Sequence, residues 1–175
     1  VSYHQDAKYI GLEPHNWVTA WVAITDSNEK NGCMRMWSGS HKDNLKEHDQ
    51  KFNEGNLLTR GQTVKNVPKD ETTPLVLEAG QISLHHPMVV HGSELNKSND
   101  RRIGFVIQSY ISTNVNQVLG KNSVQIARGV DKFNFHEKIG RPNLLMDKND
   151  LELKKKENDN LREIFYKGSS KKGNY

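Results

Sequence analysis

Apolar and polar positions alternate along the chain as far as residue 111 and take a helical spacing only near its end. From Trp17 to Thr25 two series interleave, Trp17/Thr19/Trp21/Ala23 and Val18/Ala20/Val22/Ile24. A period of two is that of a strand. Apolar groups in both series predict a strand covered on both faces, as inside a sandwich. Asp26 to Gly32 is a polar turn region ending on Asn31-Gly32, a strong turn signal. Cys33 to Trp37 reads as the next strand, closed by Ser38-Gly39-Ser40. Leu75 to Leu77 leads into a Glu78-Ala79-Gly80 turn, and Ile82 to His91 returns as strand, with Pro87 marking a bulge or an edge. Ile103 to Ile111 is a further β-rich run. Short strands punctuated this way predict a mainly β sandwich or barrel.

Three segments depart from the pattern. Residues 41–73 are polar, lysine-rich and too long for a tight hairpin, so a functional role is expected of them. Asp150 to Lys167 reads as a helix: Asn149 or Asp150 can cap it, Gly168 can end it, and Leu161, Ile164 and Phe165 make an apolar stripe suited to core packing or a dimer seam. The Gly/Ser/Lys-rich tail, residues 168–175, is expected to be disordered.

Composition narrows the class. With 175 residues, 26% charged and 34% hydrophobic, the chain can bury a core as a single domain over residues 1–175. A net charge of +4, with no basic stripe interleaved with aromatics, argues against nucleic acid. The longest apolar stretch, near Val18 to Ile24, is far short of the roughly 20 residues a membrane helix needs. Cys33 is the one cysteine, a small core residue by expectation, which excludes an internal disulfide and fits a cytoplasmic location. Oligomeric state is not legible.

The candidate chemistry lies in His4-Gln5-Asp6, answered by His91-Gly92-Ser93 and Arg102. Two histidines and one carboxylate are the facial ligand set of mononuclear non-haem Fe(II) oxygenases, which leaves three metal positions open. One residue between His4 and Asp6 on a strand puts both side chains on one face. Arg102 supplies a planar, permanently charged fork for a dicarboxylate.

The order of motifs from His4 to about Tyr110 resembles the phytanoyl-CoA dioxygenase family. The matching elements are His4-Gln5-Asp6 with Tyr9, Trp17-Val18-Thr19-Ala20-Trp21-Val22-Ala23, Asn31-Gly32-Cys33-Met34 and Gly39-Ser40-His41-Lys42. They continue with His86-Pro87-Met88-Val89-Val90-His91-Gly92-Ser93, Asn96, Ser98 and Arg101-Arg102-Ile103-Gly104. The resemblance implies a double-stranded β-helix, that is, a cupin-like jelly roll, and an Fe(II)- and 2-oxoglutarate-dependent hydroxylase using O2. It makes His4, Asp6 and His91 the iron ligands, with Arg102 on the distal carboxylate of 2-oxoglutarate and Ser93 and Trp21 as further co-substrate contacts. Asp6 stands where related halogenases carry a small residue, which points to hydroxylation. Family members carry a substantial segment before this motif, so the N-terminal part of the domain is expected to be missing from this chain. The resemblance also makes residues 41–73 a flap over the active site.

The substrate is expected to be a small polar or anionic molecule, as in the bacterial branch that acts on aminophosphonates, of which Leu57 to Gln62 and Ser83-Leu84-His85-His86 are reminiscent. Tyr9 and Arg60 are the candidate substrate contacts. Among the other histidines, His85 and His86 must point to opposite faces, and His86, in a His-Pro pair, supports local structure. His41 is read as structural, and His15, His48 and His136 as surface residues. Two rival readings are a metal-binding β-helix module without catalysis, which has no need of Arg102, and an oxygenase that desaturates or closes a ring.

Overall fold

The computed structural model describes residues 1–49, 58, 63–143, 145 and 147–168. Two compact units emerge, Val1–Lys8 with Trp17–Ile111 and Tyr9–Asn16 with Ser112–Tyr175. In chain order the elements are α1 (Ala7–Ile10), β1 (Leu12–Glu13), β2 (Trp17–Ala23), β3 (Met34–Trp37), β4 (His48–Asp49), β5 (Thr63–Val64) and β6 (Thr72–Pro74). There follow β7 (Ile82–His85), β8 (His91–Ser93), β9 (Gly104–Ile111), β10 (Asn116–Gln117), β11 (Ser123–Val124), β12 (Glu137–Lys138) and the long helix α2 (Lys148–Tyr166).

The first unit holds two antiparallel three-stranded sheets, ordered β7-β2-β9 and β6-β3-β8. The chain winds from one sheet to the other and back: β2, then β3 and β6, then β7, β8 and β9. This is the expected mainly β jelly roll with a C-terminal helix. Strand β2 is the spine of its sheet. Its Trp17/Thr19/Trp21/Ala23 series is wholly buried, as is Ala20, while Val18 and Val22 are half-buried. On the latter face the neighbours in register, Ile82, Leu84 and Phe105, are exposed, so the cover expected on both faces is complete on one. Tyr3, Val64 and Val90 form a buried apolar cluster in this unit, with Trp37 and Val67 packed on it.

Several expectations are corrected. Ile82 to His91 is not one strand: β7 and β8 belong to different sheets, and the chain turns over Pro87-Met88-Val89, with the Val89 amide donating to the His86 carbonyl. Proline lacks the amide a continuous ladder needs, so it ends the strand and the chain changes sheet. Leu75 to Leu77 lies just past β6, where the Leu75 amide donates to the Met34 carbonyl and Leu77 bridges Ser27. Of the described residues within 41–73, His48–Asp49 and Thr63–Val64 pair as β4 and β5, the Lys46 amide donates to Gln5 Oε1 and the Lys46 ammonium lies over the Trp37 ring. His48 is no surface residue: it is buried, accepts the Gln5 amide at Nε2 and donates from Nδ1 to the Lys46 carbonyl.

In the second unit β1 pairs antiparallel with β10, and β11 pairs parallel with β12. Helix α2 starts earlier than expected, because Asp147 is the cap whose carboxylate accepts the Asn149 and Asp150 amides. Its buried residues are Ile164 and Tyr166, whereas Leu161 is exposed, so the stripe is narrower than the spacing implied. Gly168 takes a positive φ after the last turn, as a helix-ending glycine does. His136 is tied down by Asn122 and the Val115 carbonyl. Residues 169–175 lie outside the described residues. No helix among the described residues is long and apolar enough to cross a membrane.

Candidate metal centre

His4 and His91, far apart in sequence, sit opposite each other in an antiparallel bridge: the His4 amide donates to the His91 carbonyl at 2.9 Å and the His91 amide returns the bond at 3.0 Å. Their rings are 4.3 Å apart. Asp6 is not on a strand as expected; it lies on the turn into α1, just past the His4 bridge. The turn still brings Asp6 Oδ1 to 3.5 Å from His4 Nε2 and 3.9 Å from His91 Nε2. All three residues are buried, and one ligand atom from each lies within 4.8 Å of the others.

Hydrogen bonds fix which atoms face inward. His4 donates from Nδ1 to the Ser2 carbonyl at 2.7 Å, and His91 from Nδ1 to the Val89 carbonyl at 3.0 Å. With the proton placed on Nδ1, each ring keeps its Nε2 lone pair for a metal, a common arrangement around ligating histidines. Burial is the main force that pushes the pKa of His91 down to about 3, so its imidazole is neutral at physiological pH. Asp6 Oδ2 is approached by the Thr19 hydroxyl at 2.9 Å, a hydroxyl also 2.8 Å from the Gln108 carbonyl. One buried carboxylate with two imidazoles that turn Nε2 inward is a donor set suited to a divalent first-row cation. Metal bonds of about 2.0–2.2 Å bring neighbouring ligand atoms to roughly 3 Å, so the facing groups have little distance to close.

The residue between the ligands supports both. Gln5 is fully buried, donates from Nε2 to the Met88 carbonyl at 2.7 Å and accepts the Lys46 amide at Oε1. Gly92 is required by close approach: a Cβ there would stand 3.0 Å from the Tyr3 backbone and ring. That explains the glycine of the His-Gly-Ser run.

Beside the ligands, Trp21 is buried on the inward face of β2 and the Arg102 guanidinium lies 5.8 Å from its ring centroid. Arg102 is half-buried, and burial lowers its pKa. Gly104 leaves space for the indole, which a Cβ at that position would overlap. Ser93 follows His91 on the same face of β8, opposite Met34.

His85 lies against the centre as well. It is buried, with Nε2 4.0 Å from Asp6 Oδ2 and its ring 4.9 Å from that of His91. Burial lowers its pKa as well. His86 points away: its ring is 5.6 Å from that of His41, and its Nδ1 accepts the Met88 amide. Thr19 and His85 are direct cross-strand partners, and the strand period alone puts Thr19 in the series of Trp21. Tyr9 belongs to the second unit, where its ring meets Phe165 edge-on at 6.1 Å. Arg60 lies outside the described residues.

Known proteins carry the same elements. A solved structure described as the apo form of ThoJ, a non-heme monooxygenase, matches 94% of this chain and 59% of its own with a TM-score of 0.80 at 28% identity. EvdO2 from Micromonospora carbonacea, complexed with 2-oxoglutarate, shares the fold at 20% identity and a TM-score of 0.50 over 60% of this chain and 42% of its own. The peroxisomal phytanoyl-CoA dioxygenase of Mus musculus is 34% identical over 57% of this chain and 30% of its own length. A probable alpha-ketoglutarate-dependent hypophosphite dioxygenase of Stutzerimonas stutzeri is 28% identical over 69% of this chain and 42% of its own length. The chain thus spans between about a third and three-fifths of these proteins. The family description Phytanoyl-CoA dioxygenase (PhyH) matches residues 1–104, which include the two histidines, the aspartate and the arginine described above, and the chain belongs to that family.

Proposed function

We propose that this protein is an Fe(II)- and 2-oxoglutarate-dependent dioxygenase that hydroxylates an unactivated C–H bond of a small polar or anionic molecule. The observation that carries the reading is the buried trio His4, Asp6 and His91, with both histidines tied at Nδ1 so that Nε2 faces the carboxylate. These three residues would hold Fe(II). Bound there, the iron would supply the chemistry that couples O2 and oxidative decarboxylation of 2-oxoglutarate to attack on a C–H bond, with succinate and CO2 as co-products. The half-buried Arg102 would pair with the distal carboxylate of 2-oxoglutarate, a charge-assisted contact. Trp21 would wall that end and Ser93 would add a hydrogen bond. Thr19 would orient Asp6 through Oδ2. Asp6, as a carboxylate in place of a small residue, supports hydroxylation. The phosphorus oxyanion named for the Stutzerimonas stutzeri relative supports a small anionic substrate.

Anaerobic addition of Fe(II) and then 2-oxoglutarate to the full-length protein tests the reading through the visible metal-to-ligand charge-transfer band. The band is expected in the wild type and absent in Asp6→Ala. Arg102→Ala is expected to keep iron while 2-oxoglutarate affinity falls about tenfold to a hundredfold, as loss of a charged hydrogen-bonding partner does. Iron binding with no band in a folded wild-type protein would sink the reading in favour of a metal-binding module. Product mass separates outcomes: hydroxylation adds one oxygen, and desaturation or ring closure removes two hydrogens.

A further inference from the structure

Three histidines surround the Asp6 carboxylate, and their Nδ1 atoms sort them into two kinds. His4 and His91 give the Nδ1 proton to backbone carbonyls and turn a lone pair inward. His85 Nδ1 is buried and meets no hydrogen-bond partner among the described residues. A neutral imidazole carries one ring proton. Nε2 is the ring nitrogen that faces the Asp6 carboxylate, 4.0 Å away, and that negative charge favours the proton on Nε2. His85 therefore presents a donor where its two neighbours present lone pairs.

Among the described residues that donor meets no acceptor at hydrogen-bond distance. Nε2 is 4.0 Å from Asp6 Oδ2, beyond hydrogen-bond reach, and Oδ2 already has the Thr19 hydroxyl. The backbone holds the ring in place, since His85 pairs with Thr19 in the β7–β2 ladder. Two residues earlier on the same face, the buried Ser83 hydroxyl also lacks a partner among the described residues. The inward face of β7 thus carries two polar groups unmet among the described residues, one of them, His85, beside the metal centre, and such groups call for an explanation. A bound acceptor supplies one.

We propose that His85 is a co-substrate-binding residue whose Nε2–H donates to the carboxylate of 2-oxoglutarate at the end that reaches the metal. The inference rests on the oxygenase reading above. It gives that carboxylate a neutral donor on the β7 side, while Arg102 takes the opposite end of the molecule.

The test is anaerobic binding to the full-length protein, with Fe(II) and 2-oxoglutarate affinities and the charge-transfer band measured for wild type, His85→Gln and His85→Asn. A glutamine amide reaches the place of Nε2, and an asparagine amide that of Nδ1. Both variants are expected to bind Fe(II) within about twofold of wild type. His85→Gln should keep 2-oxoglutarate affinity within about threefold, and His85→Asn should lose about tenfold or more and shift the band. His85→Leu, apolar and of asparagine's size and shape, carries the same expected loss and stands in if the asparagine variant does not fold. Unchanged 2-oxoglutarate affinity and an unmoved band in the asparagine and leucine variants would overturn the assignment. So would loss of iron to the degree seen in His91→Ala, which would make His85 a ligand. A wild type that binds iron and shows no band overturns the oxygenase reading itself, before any variant is compared.

Discussion

Thr19 sits at the point where a strand residue becomes part of a metal site. Its hydroxyl reaches Asp6 Oδ2 at 2.9 Å, leaving Oδ1 toward the two histidines. Outer partners of ligating carboxylates set their orientation, and removing one typically costs about tenfold to a hundredfold in metal affinity. Thr19→Val keeps the β-branched shape and is expected to weaken Fe(II) binding within that range while the protein stays folded. Metal titration followed by thermal melts checks both halves, and unchanged affinity would dismiss the role. At this scale the sequence was legible where chemistry is concentrated. His4, Asp6, His91 and Arg102 declare themselves by residue type and order. Thr19, Gln5, His48 and His85 do not. A threonine between tryptophans reads as filler, and a buried His48 bonded to the Gln5 amide looks the same in sequence as an exposed one.

Elements explain residues that look passive. The Arg102-Ile103-Gly104 run leads into β9, and Gly104 lies opposite Ala23 in the ladder while Val106 lies opposite Trp21. A Cβ at Gly104 would overlap the Trp21 indole, and an indole flanked by strand residues has little room to retreat. Gly104→Ala is expected to cost about 1–3 kcal/mol of stability, the usual penalty for overpacking. By displacing Trp21 it should also weaken 2-oxoglutarate binding more than iron binding. Chemical denaturation and the same two-step titration separate these effects; a variant with native stability and native 2-oxoglutarate affinity would show that the indole has room to move. Period-two alternation made β2 and β9 legible. It failed between Ile82 and His91, where apolar residues continue through Pro87-Met88-Val89 while the backbone turns from one sheet to the other. Hydrophobic pattern reports burial, and burial continues through that turn: Met88, Val89 and Val90 are all buried although none is in a strand.

For the whole molecule, the mainly β class follows from short strands and turn signals and the jelly-roll winding from the family resemblance, but partition into two units follows from neither. Acid response is another property of the whole. Burial holds His91 near a pKa of about 3 and His48 near about 4, against 6.5 in an unfolded chain. Burial lowers His85 too. Between these values the unfolded chain binds protons that the folded chain refuses, so stability rises with pH through the window and is fully present above about 6.5. As pH falls from 6.5, each such histidine removes stability with a slope approaching about 1.4 kcal/mol per pH unit. His91 and His48 together are worth on the order of 4 kcal/mol between pH 7 and pH 5, a large part of the stability of an ordinary domain. Metal-free protein is therefore expected to need much less urea to unfold at pH 5 than at pH 7, with little further change between pH 7 and pH 8. Saturating Fe(II) under anaerobic conditions should raise the midpoint at pH 7 by mass action. Urea midpoints measured at those three values decide it. A flat profile from pH 7 to pH 5 would mean that these histidines titrate in the folded protein as they do in water, and the buried, neutral His91 would have to be abandoned.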